Sequence, residues 1–128
     1  MDVFNLTVKQ ISEKIKDAQL TSVDLCKTYI ERIKKFEKDI HAWAHFDEKI
    51  LLEKAEEADN HRRSGKTLGL LHGIPVALKD IIGTLDMPTE CGTVFRKGMS
   101  ASQDAEIVDL LKTEGAIIMG KTATSELA

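Results

Sequence analysis

Two short apolar runs, Ile74 to Leu78 and Ala116 to Met119, constrain this chain more than any other feature. Neither contains a polar residue that would mark a solvated face. Strands with one wet face alternate, whereas continuous apolar runs suit parallel strands covered by helices on both sides. Val76, Ala77 and Leu78 are therefore expected to be buried on both faces. Between the runs lies a loop holding Gly83, Pro88 and Gly92. A helical pattern follows, with Asp104 as its expected N-cap, Ile107, Val108, Leu110 and Leu111 facing inward, and Gly115 at the C′ position. Strand, crossover helix, strand is the signature of a right-handed βαβ unit. The spacing predicts an α/β fold.

Residues 1–69 read as mainly helical. Thr7-Val8-Lys9-Gln10 is a capping box, in which the threonine accepts from the third helical amide and Gln10 reaches back. Val8, Ile11, Ile15 and Ala18 then recur at helical spacing. Thr21 or Ser22 caps a second helix, whose apolar stripe is Cys26, Tyr29, Ile30, Ile33 and Phe36; its many lysines and glutamates read as a solvated face. A short strand at Ala42 to Phe46 gives way at Asp47, a good N-cap, to a third helix carrying Ile50, Leu51, Lys54, Ala55 and Ala58. The basic cluster His61-Arg62-Arg63 with Lys66 falls at its end, where positive charge offsets the helix dipole.

Composition excludes several classes. A net charge of -3 offers no electrostatic footprint for nucleic acid, which calls for a strongly basic surface. No apolar run approaches the ~20 residues that span a bilayer, and Met1 to Asn5 does not resemble a secretory leader. Two isolated cysteines, Cys26 and Cys91, make neither a disulfide framework nor a zinc site and suit a reducing compartment. The expected location is the cytoplasm.

Four motifs carry candidate chemistry. Gly115 to Thr122 matches G-x-x-x-x-G-K-[ST], but a phosphate loop must run from a strand into a helix. Here a helix precedes the first glycine and the intervening residues are a β-prone apolar run, so phosphate binding is rejected. His41 and His45 would chelate a metal only on a helix, and Trp43 and Phe46 beside them favour a strand. Cys91 has no helix N-terminus or evident cation beside it and reads as an inert thiol. Lys79 is different. It ends the first apolar run and so arrives at the edge of a core. There it either snorkels out to water, the commoner outcome for such a pattern alone, or is held partly desolvated, and a desolvated amine loses proton affinity and can act as a base.

With its surroundings, this segment resembles the amidase signature family. Leu70-Leu71-His72-Gly73-Ile74-Pro75-Val76-Ala77-Leu78-Lys79-Asp80 is similar to that family's L-x-G-I-P-x-x-x-K-D block, and Asp86 to Thr93 to the loop after it. Asp104 to Leu111, leading into Gly115 to Thr122, resembles a third block. Thr124-Ser125-Glu126-Leu127-Ala128 fits T-x-E-[FL]-A.

The resemblance implies an α/β/α fold with a mixed, largely parallel sheet, of which residues 70–128 form the start. It implies an amidohydrolase that cleaves a carboxylic amide through an acyl-serine, with no metal or cofactor. Lys79 takes the place of the catalytic lysine of a Ser–cis-Ser–Lys triad, and Glu126 is expected to hold local backbone. Both serines of that triad would lie beyond residue 128, so residues 1–128 are expected to be the inactive N-terminal part of a single amidase domain. A small-molecule amide is the expected substrate, with no nucleic-acid or membrane partner and a two-fold dimer as the default for the parent. The A subunit of the glutamyl-tRNA amidotransferase, of the same family, is the enzymatic alternative. A truncated, non-catalytic binding module is the other.

Overall fold

A computed structural model describes residues 2–128. The chain order is α1 (Val8–Lys16), α2 (Ser22–Ile40), β1 (Trp43–Phe46), α3 (Glu48–Arg63), β2 (Pro75–Lys79), α4 (Glu106–Thr113) and β3 (Ile117–Thr122), with single 3₁₀ turns at Val3–Asn5 and Val94–Arg96. The three strands form one mixed sheet in the order β1-β3-β2. β3 runs parallel to β2 and antiparallel to β1.

Local chemistry sets the helix starts. Thr7 Oγ1 accepts from Gln10 N–H at 3.3 Å while the Gln10 side chain accepts from Thr7 N–H at 2.8 Å, closing the capping box. Asp47 accepts from Ile50 N–H at 3.0 Å and starts α3. At α2 the caps come from two elements. Thr21 takes Asp24 N–H at 3.0 Å, and the buried Asp59 of α3 takes Ser22 N–H at 2.9 Å and Val23 N–H at 3.1 Å. A carboxylate there also meets the positive end of the helix dipole. His61, Arg62 and Arg63 do fall in the last turn of α3, and His41 ends α2 in the left-handed conformation, φ 53°.

The core lies on both faces of the sheet. Ile117 and Met119 of β3 pack with Cys26 and Ile30 of α2 and Leu51 and Ala55 of α3. Ile118, with Leu78 of β2, packs on the other side against Val108 of α4 and Met87. A third cluster joins α1 to the sheet through Ile11, Ile15, Leu20, Leu25 and Ile74. β1, from the mainly helical segment, pairs with β3, so the packing unit crosses residue 69.

Three expectations require correction. β2 sits at the edge of the sheet, and only Leu78 of its central residues is buried; Val76 is half-buried and Ala77 exposed. Asp104 does not cap α4. The N-cap is Ala105, and Asp104 instead accepts from Leu85 N–H at 2.7 Å and Lys112 Nζ at 2.6 Å. On α4 only Val108 is fully buried, while Ile107 and Leu110 are 51% and 56% exposed. The apolar stripe of this helix is wider than the surface that these residues cover. The end of α4 follows the sequence: Ala116 N–H reaches Leu111 C=O and Gly115 N–H reaches Lys112 C=O, the paired bonds of a Schellman turn.

Candidate active site

Chemistry collects at the carboxyl ends of β2 and β3, the position where open α/β sheets present their sites. Lys79 closes β2, opposite Thr122 in the parallel register. It is exposed, as a snorkelling lysine would be, and these residues do not desolvate it. Side chains alternate along a strand. Lys79 therefore projects on the side opposite to Leu78, away from the α4 layer and from the cluster formed with Ile118. Its Nζ forms no ion pair or hydrogen bond among the described residues.

The backbone around Lys79 is tightly held. Thr122 C=O accepts Asp80 N–H at 2.9 Å, and Lys79 C=O accepts Ile82 N–H at 3.0 Å, which closes a β-turn over residues 79–82. Asp80 is buried, and its carboxylate accepts Glu90 N–H at 3.1 Å while its carbonyl accepts Cys91 N–H at 2.9 Å. The loop after the strand is thereby folded back on Asp80.

The least expected member is Lys121. It lies in the interior of β3, opposite Leu78, with no exposed surface at all. Its ammonium donates to Ile82 C=O at 2.8 Å and to Thr89 Oγ1 at 2.8 Å, and faces Asp80 Oδ1 at 3.9 Å. Burial pushes the amine below its ordinary value, and the carboxylate of Asp80 opposes that shift. One signal in the sequence could have found it, a lysine one glycine beyond an apolar run. That signal pointed first to a phosphate loop, and the segment forms strand β3 instead.

Thr89 ties the same loop down further through its N–H, bonded to Met99 C=O at 2.7 Å, and Thr84, fully buried, donates to Met87 C=O at 3.1 Å. Beyond β3 the chain turns back over this loop. Glu126 accepts from Thr93 Oγ1 at 2.8 Å, and Leu127 N–H reaches Cys91 C=O at 2.8 Å. Gly92 lies beneath this turn at φ +66°, where a Cβ would stand 2.7 Å from Thr124 C=O. Glu126 thus bonds the Thr93 side chain rather than main chain, and Cys91 is half-buried between two main-chain bonds. His41 lies at the α2 terminus, and His45 lies on β1 opposite Lys121 in the antiparallel register, so the two histidines belong to different elements.

A family model described as Amidase matches residues 24–128, most of the chain. The chain belongs to the amidase family. Over 122 residues it is 36% identical to the A subunit of the glutamyl-tRNA(Gln) amidotransferase of Rhodopirellula baltica, covering 95% of this chain and 24% of that protein. It is 37% identical over 122 residues to the mitochondrial A subunit of Mus musculus, covering 95% and 23%. Among solved structures, the native peptide amidase of Stenotrophomonas maltophilia superposes with a TM-score of 0.91 at 32% identity, covering 99% of this chain and 26% of that one. An amidase family protein of Bacillus anthracis gives 0.86 at 35% identity, covering 98% and 25%. The chain spans about a quarter of the length of the relatives it matches. The mixed α/β sheet with its four helices matches the amidase-signature structures over this region. No helix among the described residues is long and apolar enough to cross a membrane.

Proposed function

We propose that residues 1–128 are the N-terminal part of a cytoplasmic amidase domain that hydrolyses the C–N bond of a small carboxamide, and that Lys79 is its catalytic lysine. The observation that carries this reading is the placement of Lys79. It is the last residue of an edge strand, turned at its carbonyl, with an amine that no group among the described residues engages. Such an amine is open to partners supplied by further sequence. Ala77 and the outer residues of α4, Ile107 and Leu110, are apolar surface that the same sequence would cover.

In this reading two serines outside residues 1–128 complete the relay. Lys79 takes the proton of a bridging serine, which takes the proton of the nucleophilic serine. That oxygen attacks the carbonyl carbon, and the C–N bond breaks as the proton returns to the departing nitrogen. Water then hydrolyses the acyl-serine. Backbone amides aimed at the developing oxyanion would supply much of the rate. The likeness to a peptide amidase over nearly the whole chain favours stand-alone hydrolysis, as does the loop Met87 to Thr93. The identity to amidotransferase A subunits favours the alternative, in which the ammonia released is passed on within a complex.

The test is Lys79→Ala in the amidase that carries this segment. Turnover should fall by several orders of magnitude with KM little changed, because the lysine acts in proton transfer. A loss confined to KM would show that Lys79 only positions substrate. Residues 1–128 alone should not turn over amides; turnover that Lys79→Ala abolishes in that short chain would place the nucleophile within it.

A further inference from the structure

We propose that Lys121 is a positioning residue for Lys79, fixing from the opposite face of the sheet the turn on which the catalytic amine is mounted. The inference rests on the catalytic reading of Lys79 given above. Lys79 begins the 79–82 turn, and its own carbonyl is the acceptor that closes it. The last residue of that turn, Ile82, gives its carbonyl to Lys121 Nζ at 2.8 Å. Asp80, the second residue of the turn, lies 3.9 Å from the same ammonium. Thr89 Oγ1 occupies a further donor direction at 2.8 Å. One ammonium therefore joins the turn carrying Lys79, the returning loop at Thr89 and strand β3.

Filling space does not account for this residue. A methionine or leucine would occupy the same interior without the desolvation that a buried ammonium suffers. What a charge adds is direction: two hydrogen-bond acceptors, Ile82 C=O and Thr89 Oγ1, converge on it with the Asp80 carboxylate at 3.9 Å, and Ile82 and Asp80 belong to the turn itself. The flexible Lys79 side chain gains reach from its stem, but its Cα is located by the β3 ladder on one side and by this turn on the other. Small displacements matter there, because misplacing a reacting group by ~1 Å can cost ~10²-fold in rate.

The experiment uses the amidase that carries this segment and compares Thr89→Val, Thr89→Ser, Lys121→Met and Lys79→Ala. Thr89→Val keeps the shape but removes the hydroxyl acceptor, and Thr89→Ser restores it while losing the methyl. The proposal expects Thr89→Val to lower kcat by about 10-fold with KM within about twofold, and Thr89→Ser to recover most of that loss. Lys121→Met should lower kcat by about 10²-fold, and amide exchange at Ile82 N–H should quicken in both kcat-impaired variants. A role in stability alone predicts that Thr89→Val lowers the urea midpoint while kcat of the folded enzyme is unchanged, and that result overturns the proposal. If Lys121→Met does not fold, the Thr89 pair decides. If Lys79→Ala abolishes turnover while Thr89→Val keeps full kcat, the positioning inference falls and the catalytic reading stands. If Lys79→Ala keeps full kcat, the catalytic reading falls and the inference goes with it.

Discussion

Gly73 opens the G-I-P segment before β2, and its replacement by alanine should be among the most damaging small changes in the chain. Its φ is +73°, a left-handed conformation that costs an L-residue about 1–2 kcal/mol. The added Cβ would also overlap Ser22 Oγ outright, with Ser22 Cβ at 3.3 Å and Ile15 Cδ1 at 3.5 Å behind it. Forcing a methyl into such packing costs about 1–3 kcal/mol. Gly73→Ala should therefore destabilise by about 2–5 kcal/mol, a large fraction of a small domain's ~5–15 kcal/mol. Ser22 Oγ is buried without a hydrogen-bond partner. Ser22→Ala alone should thus be close to neutral, since it removes an unsatisfied group. In that background the oxygen is gone and the remaining 3.3 Å contact with the residue-22 Cβ needs a shift of only a few tenths of an ångström, so Gly73→Ala should cost mainly the backbone strain, about 1–2 kcal/mol. The coupling between the two sites is then about 1–3 kcal/mol. Urea unfolding followed by the fluorescence of Trp43, the single tryptophan, measures all four members of the cycle. Equal costs for Gly73→Ala in both backgrounds would refute the steric argument, and a cost below about 0.5 kcal/mol would refute both terms.

Asp59→Asn should destabilise by about 1–2 kcal/mol, because an amide oxygen can serve the two α2 amides less well than a carboxylate does; unchanged exchange at Ser22 and Val23 N–H would contradict it. Cys26 is fully buried, its thiol pushed up to about 12 by burial and then by Asp59, so a thiol reagent at neutral pH should label Cys91 alone in the native chain and both cysteines in urea. Two fast thiols in the native state would count against the packing of α2. Asp86 and Asp104 carry the acid dependence. Burial alone would raise Asp86, but Lys54 and Lys112 outweigh it, and the Lys112 hydrogen bond holds Asp104 down. Both carboxyls thus titrate lower in the folded chain than in the unfolded one, so the unfolded state binds more protons as pH falls. Their contribution is complete above the ordinary carboxylate range and is lost below about pH 4. Lys112→Met should flatten that acid limb in urea midpoints, and an unaltered limb would exclude the Lys112 contacts as its source.

Much of the local structure was legible because its causes are local. The Thr7–Gln10 capping box, the Asp47 cap and the Gly115 stop each depend on residues within one turn of each other, and all three are formed. The amidase resemblance was equally legible, and so was the place of Lys79 at the end of a strand. Asp104 shows the limit of that logic: its side chain had two other partners, Leu85 N–H from the preceding loop and Lys112 from the last turn of α4, and these displaced the cap that spacing alone suggested.

By itself, then, the sequence determined the elements, their order and the residue at the end of β2. Tertiary structure decided which faces were covered and which charges met. Apolar residues in β2 and α4 declare a preference for burial, but burial requires another surface, and at Ala77, Ile107 and Leu110 these residues provide none. The two lysines make the same point in opposite senses. Lys79, for which the sequence left snorkelling and desolvation both open, is exposed because it points to the uncovered side of an edge strand. Lys121, which carried no such expectation, is buried because the 80–93 loop folds over the far face of β3 and brings Ile82, Thr89 and Asp80 to its ammonium. Ile82 and Thr89 lie 39 and 32 positions away in the chain, and Asp80 is as remote, a separation that no periodicity or capping rule can read.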